Sequence, residues 1–105
     1  MRLTSFLQEG QLTIVLTGEI DHHCAKNYIS SIEAKVEAYA PKVCVLDFSD
    51  VTFMDSSGIA VVINAMRSVM RIDGKMMVCG LQEQPMKVFM TSGINKLIEI
   101  KEKVS

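Results

Sequence analysis

Apolar residues recur along the chain with two alternating periods. Residues 3–7 and 12–17 are rich in β-formers and flank Glu9-Gly10, which predicts a β-hairpin closed by a glycine turn. Gly18 is expected to end the second strand. Asp21 is then placed to cap a helix whose apolar positions, Ala25, Ile29, Ile32 and Val36, recur at spacings of four, three and four. Pro41 stops that helix, and the run VCVLDF from Val43 has the pattern of a central strand buried on both faces. Further on, Ile59, Val62, Ile63, Met66, Val69 and Met70 form the stripe of an amphipathic helix that ends near Asp73-Gly74. KMMVCG reads as a short strand, Pro85 suits the first turn of a helix running to Met90, and KLIEI reads as a last strand.

The resulting order, β-β-α-β-α-β-α-β, predicts one α/β domain. Its mixed sheet has four to five strands, an N-terminal hairpin followed by parallel strands joined through right-handed crossovers, with the helices mainly on one face. In such a sheet the functional loops lie at the carboxyl ends of the strands, where helix N-termini point their N–H groups outward. Three segments qualify: 18–23, 49–58 and 80–84.

Composition narrows the function more than the fold. The 105 residues are 49 % hydrophobic and 22 % charged with a formal charge of −1, and the lysines form no run. Nucleic acid is therefore a disfavoured partner. The longest unbroken apolar run is the five residues 59–63, too short to span a bilayer, and the N-terminus has no long apolar leader segment. A cytoplasmic protein with no membrane contact is expected. Cys24, Cys44 and Cys79 have no CxxC spacing and read as structural thiols, Cys44 and Cys79 as buried ones. Eight methionines fill a core without tryptophan, although Met54 lies in one of the candidate loops.

That loop carries the candidate chemistry, Asp55-Ser56-Ser57-Gly58. Serine, histidine (His22, His23) and aspartate (Asp21, Asp55) share one edge, but a hydrolase elbow needs glycines on both sides of its serine, and Ser57 follows Ser56 and Asp55. Neighbouring His22-His23-Cys24 side chains diverge on a helix and do not converge as metal ligands. The glycines fit no phosphate-binding loop. Two readings remain open on local physics. Asp55 or Ser56 caps the helix, or a serine there is phosphorylated, since a helix N-terminus favours a phosphate while nearby carboxylates repel it.

LTGEIDHH at 16–23, VLDFSDVTFMDSSGIAVVI at 45–63 and MKVFMTSGI at 86–94 together resemble the STAS domains, in particular the bacterial anti-sigma factor antagonists of the sporulation and general-stress branches. The resemblance covers most of the chain. It implies a non-enzymatic switch without cofactor or metal, whose unmodified form binds an anti-sigma factor that is also a serine kinase and so frees the sigma factor. Ser57 matches the phosphoacceptor, which a serine phosphatase resets. Asp21, Met54, Asp55, Ser56, Ser57, Gly58 and Ile59 are the expected partner-binding residues, and the free protein is expected to be a monomer. A STAS scaffold or accessory subunit in a stress-signalling assembly or transport system is the alternative. The family usually continues into a further C-terminal helix, so residues 99–104 are expected either to form a stunted version or to leave one sheet face less covered.

Overall fold

In the computed structural model, which describes residues 2–102, the sheet order follows the chain order. Strand β1 (Arg2–Gln8) pairs antiparallel with β2 (Gln11–Ile20), and β3 (Val43–Met54), β4 (Lys75–Cys79) and β5 (Glu99–Lys101) follow in parallel. Helix α1 (Ala25–Tyr39) joins β2 to β3, α2 (Ser56–Arg71) joins β3 to β4, and α3 (Glu83–Ser92) with a short 3-10 turn, Ile94–Lys96, joins β4 to β5. The hairpin turn holds Glu9 and Gly10 at φ of 52° and 81°. Positive φ at both central residues matches the right-handed strand twist, and glycine reaches it without a steric cost.

Sheet register decides which residues meet the helices. Leu12, Cys44 and Met76 are aligned across β2, β3 and β4, as are Ile14, Leu46 and Val78, and all six lie in one buried cluster with Tyr28, Ile32 and Val36 of α1, Val62 and Val69 of α2, and Phe89 of α3. Phe48 and Phe89 meet edge to face with ring centroids 5.7 Å apart. Tyr28 stays inside because its hydroxyl donates to Thr17 O at 2.9 Å. The alternate residues, with Phe6, Thr13, Val45 and Met77 in one row, face the other side, which no helix among the described residues covers. Val45 and Asp47 are nonetheless only 8 % and 4 % exposed. The expectation of a centre strand enclosed on both faces thus holds for residues 44–48, although helices close only one face.

Several local expectations shift. Strand β3 does not end at Phe48 but runs to Met54, because β2 also continues past Gly18 and pairs with it as far as Ile20 through two register irregularities. The two long loops expected at 18–23 and 49–58 shrink to the turn 21–24 and to Asp55. On α2 the buried stripe is Gly58, Val61, Val62, Ala65, Ser68 and Val69, while Ile59, Ile63 and Met66 are half-buried and Met70 is 62 % exposed. This face packs against both the sheet and α1, and at Gly58 the close approach of Met54 leaves no room for a side chain. On α1, Tyr28 rather than Ile29 takes the fully buried position. Residues Glu99–Lys101 form a strand instead of a stunted helix, and 103–105 lie outside the described residues. Cys79 is half-buried rather than enclosed. Among the described residues no helix is long and apolar enough to cross a membrane.

Burial of Cys44 pushes its thiol up to about 12. Iodoacetamide at about pH 8 is therefore expected to leave Cys44 intact in the folded protein and to modify it only after unfolding, because the thiolate is the reactive species. Peptide mass spectrometry reads the outcome, and modification of Cys44 in the native state would mean that the helix layer does not close over the sheet.

Candidate functional site

The carboxyl ends of β2 and β3 lie side by side and each leads into a helix. Met54 is aligned with Ile20, and the Asp55 N–H donates to Ile20 O at 3.1 Å. The next residue on one strand is Asp21 and on the other is Asp55, so both carboxylates leave the same edge of the sheet. The sequence-derived juxtaposition of these two segments is present in the structure.

Asp55 is the N-cap of α2. It has extended backbone geometry, and its Oδ1 accepts from the Ser57 N–H at 2.8 Å, while its carbonyl accepts from the Gly58 N–H at 3.0 Å. Ser56 is exposed and Ser57 is half-buried in the first turn. Among the described residues the Ser57 hydroxyl has no hydrogen-bond partner, so it is available to a reagent from outside. The first turn of α2 holds no acidic residue, so the cap carboxylate and the open N–H groups set the local field.

Asp21 has a related role one step removed. Residues 22–24 form a turn before α1, whose own N-cap position is Cys24. Asp21 Oδ1 accepts from the His23 N–H at 2.9 Å and the Cys24 N–H at 3.3 Å, so the carboxylate closes that turn rather than the helix itself. Desolvation pushes the Asp21 carboxyl upward, but hydrogen bonds from His23 N–H, Cys24 N–H and the Cys24 thiol, with the His23 charge, together hold it below its usual range. His22 and His23 are exposed, their rings 4.0 Å apart, and no metal-binding cluster occurs among the described residues.

Two expected contact residues are relocated. Met54 is wholly buried, at 0 % exposure, and offers no surface to a partner. Its side chain fills the space beneath Gly58, where an added Cβ would lie 2.6 Å from Met54 Cε, so glycine lets the helix settle on the methionine. Gly58 is itself buried. These two residues support the turn from below, whereas Asp21, Asp55, Ser57 and Ile59 are half-exposed around Ser56.

Reading the sequence also missed two parts of this region. An open, largely apolar groove of about 390 Å³ runs from Ser56 and Ile59 to Lys87, Val88, Thr91 and Ser92 of α3. The Gln84 side chain, half-buried at the start of α3, hydrogen-bonds the backbone of Met54. Neither leaves a local sequence signal, since the groove depends on α3 lying beside α2 and the Gln84 bonds on α3 returning to β3 some thirty residues later in the chain.

Replacing the cap is expected to cost about 1 kcal/mol in Asp55→Ala and only a few tenths in Asp55→Asn, because asparagine retains the accepting oxygen. Urea unfolding measures both, and equal losses would mean that charge rather than capping holds the turn. Asp21 carries a pH signature of definite sign. A carboxyl whose folded pKa lies below its ordinary value of 3.8 stabilises the fold above that value and loses its contribution as pH falls through the folded one. The stability difference between wild type and Asp21→Asn is therefore expected to be flat near neutrality and to shrink below about pH 4. A difference that grows on acidification would contradict this.

The profile of the STAS domain matches residues 7–105. The chain is 29 % identical over 93 residues to the anti-sigma-B factor antagonist of Listeria monocytogenes, a match that spans 86 % of this chain and 78 % of the relative. Its fold is similar to that of the anti-sigma factor antagonist SpoIIAA in its unphosphorylated form, with a TM-score of 0.84 at 24 % identity, over 99 % of this chain and 90 % of that one. The Bacillus cell fate determinant SpoIIAA in its phosphorylated form is similar at a TM-score of 0.75 and 24 % identity, over 99 % of this chain and 93 % of that one. Mixed sheet, one-sided helix layer and profile match agree: the chain belongs to the STAS domain family.

Proposed function

We propose that this STAS domain is an anti-sigma factor antagonist switched at Ser57. In its unmodified form it binds an anti-sigma factor that is also a serine kinase, and the sigma factor is freed. Transfer of the ATP γ-phosphoryl group to Ser57 Oγ ends the binding, and hydrolysis by a serine phosphatase restores it. The chain is then a binding partner and kinase substrate rather than an enzyme, acting in the cytoplasm without contacting nucleic acid.

The observation that supports this reading best is the state of Ser57. Its N–H is occupied by Asp55, while among the described residues its hydroxyl has no partner, and Ser57 is half-exposed in the first turn of a capped helix. A phosphate there adds a charge of about −1.5 to −2. The α2 N-terminus favours that charge, whereas Asp55 and Asp21 oppose it. A partner resting on Asp21, Asp55, Ser56, Ser57 and Ile59, and extending along the groove toward Lys87, meets a polar but nearly neutral serine before modification and a dianion afterwards. Loss of binding then follows from desolvation and like-charge repulsion at the centre of the contact, without any need to unfold the domain. The curated relative and the two SpoIIAA structures carry names consistent with such a role.

Incubation with the partner kinase and ATP, followed by peptide mass spectrometry, is expected to place one phosphate on Ser57 and none on Ser57→Ala. That variant is expected to bind the kinase about as well as wild type, and Ser57→Asp at least about tenfold more weakly, a shift of roughly 1.4 kcal/mol or more. A phosphate on Ser56 alone, or binding by Ser57→Asp equal to wild type, would overturn the assignment.

A further inference from the structure

Strand β3 outruns its neighbour. Its last pair with β4 is Asp47 with Cys79, so residues 48–54 extend past β4 with one edge that no strand among the described residues pairs. Unpaired backbone groups on a half-buried edge are costly. Two side chains near the start of α3 take the place of the missing strand. Gln82 Nε2 donates to Ser49 O at 2.7 Å. Gln84 does more: its Oε1 accepts from the Met54 N–H at 2.9 Å while its Nε2 donates to Met54 O at 2.9 Å. One carboxamide thus reproduces both bonds that a ladder partner would make to that residue.

Met54 is the point where this matters. On one side the chain continues directly to Asp55, the cap of α2, whose N–H is tied to Ile20 O. Beneath, the Met54 side chain supports Gly58. Moving the Met54 backbone therefore moves both the cap and the seat of the first helical turn, and with them Ser57. We infer that Gln84 is the positioning residue of the phosphoacceptor turn, holding the Met54 backbone so that Asp55 caps α2 and Ser57 is presented in one orientation. This rests on the reading of Ser57 as the phosphoacceptor. A carboxamide sets a donor and an acceptor side by side on one planar group; a carboxylate of the same length has no proton to give at neutral pH, and a thioether has neither capacity at useful strength.

The chemistry gives the variants distinct signatures. In Gln84→Met the shape is kept and both bonds are lost. Amide hydrogen exchange, followed by NMR, is expected to accelerate about tenfold or more at Met54 and at Ser57, while Ile14 and Leu46 in the sheet centre keep wild-type protection. In Gln84→Glu the carboxylate still accepts from the Met54 N–H but faces Met54 O with no proton. Protection factors at Met54 are expected to be low near neutrality and to recover as the carboxyl protonates, a pH dependence absent from Gln84→Met. With the kinase that modifies wild type, Gln84→Met is expected to lower kcat for Ser57 by about ten- to a hundredfold with KM changed less than about twofold, since presentation rather than docking is altered.

Unchanged exchange at Met54 and Ser57 in Gln84→Met would overturn the inference, as would a uniform rise that includes Ile14 and Leu46. So would equal phosphorylation kinetics of variant and wild type. Failure of the kinase to modify wild type at all is a different result: it removes the switch reading itself, and the role of Gln84 in phosphorylation with it, while the exchange data still report whether the clamp exists.

Discussion

Everything at the candidate site depends on how the end of β3 is held. Past Asp47 the strand has a partner on one side only, yet it must deliver Asp55 to the start of α2 with little freedom. Hydrogen bonds on both flanks do this: the ladder with β2 closes with Asp55 N–H on Ile20 O, and the Gln84 carboxamide closes the other edge at Met54. The buried Met54 side chain adds a floor. A short polar turn is thereby positioned by a core residue, a strand neighbour and a helix from a distant part of the chain.

The same arrangement lets capping and the proposed regulation share one place. A helix N-terminus needs an acceptor, which Asp55 supplies to Ser57 N–H, and among the described residues the Ser57 hydroxyl is left unengaged. In the proposed switch, phosphorylation exploits the residue that the cap does not use. Because the acceptor for the backbone is a neighbouring carboxylate and not the serine itself, modification need not dismantle the cap. The two carboxylates at the edge make the added charge unwelcome locally, and a covalent bond keeps it there regardless. The cost of that repulsion is then met where a partner approaches, which is where a binding switch requires it.

Much of this was legible in the sequence, for reasons that are local. Glu9-Gly10 marked the hairpin because it separates two β-forming runs and its glycine accepts positive φ without steric cost; Pro41 marked the end of α1; and the run from Val43 marked the central strand. The segments carrying Asp21 and Asp55 were correctly brought to one edge, since the order of strands and helices alone dictates that. What escaped was set by distant contacts. The extension of β3 through Ser49, Asp50 and Thr52 contradicts their composition and is sustained by β2 and by two glutamines, Gln82 just before α3 and Gln84 in its first turn. The inward face of α2 was misread because hydrophobicity favoured Ile59, Ile63 and Met70, whereas the buried face includes Gly58, which settles on Met54 of β3, and the small residues Ala65 and Ser68. Met54 resembled a loop contact only while the loop was thought to be long.

In the proposed switch, one phosphate at Ser57 decides whether the partner stays bound. Calorimetric titration of the serine-kinase anti-sigma factor with unmodified protein and with protein fully phosphorylated at Ser57 tests it most directly. Tight binding of the first is expected, with at least about tenfold weaker binding of the second while the phosphorylated domain stays folded; equal affinity of the two forms would rule the switch out.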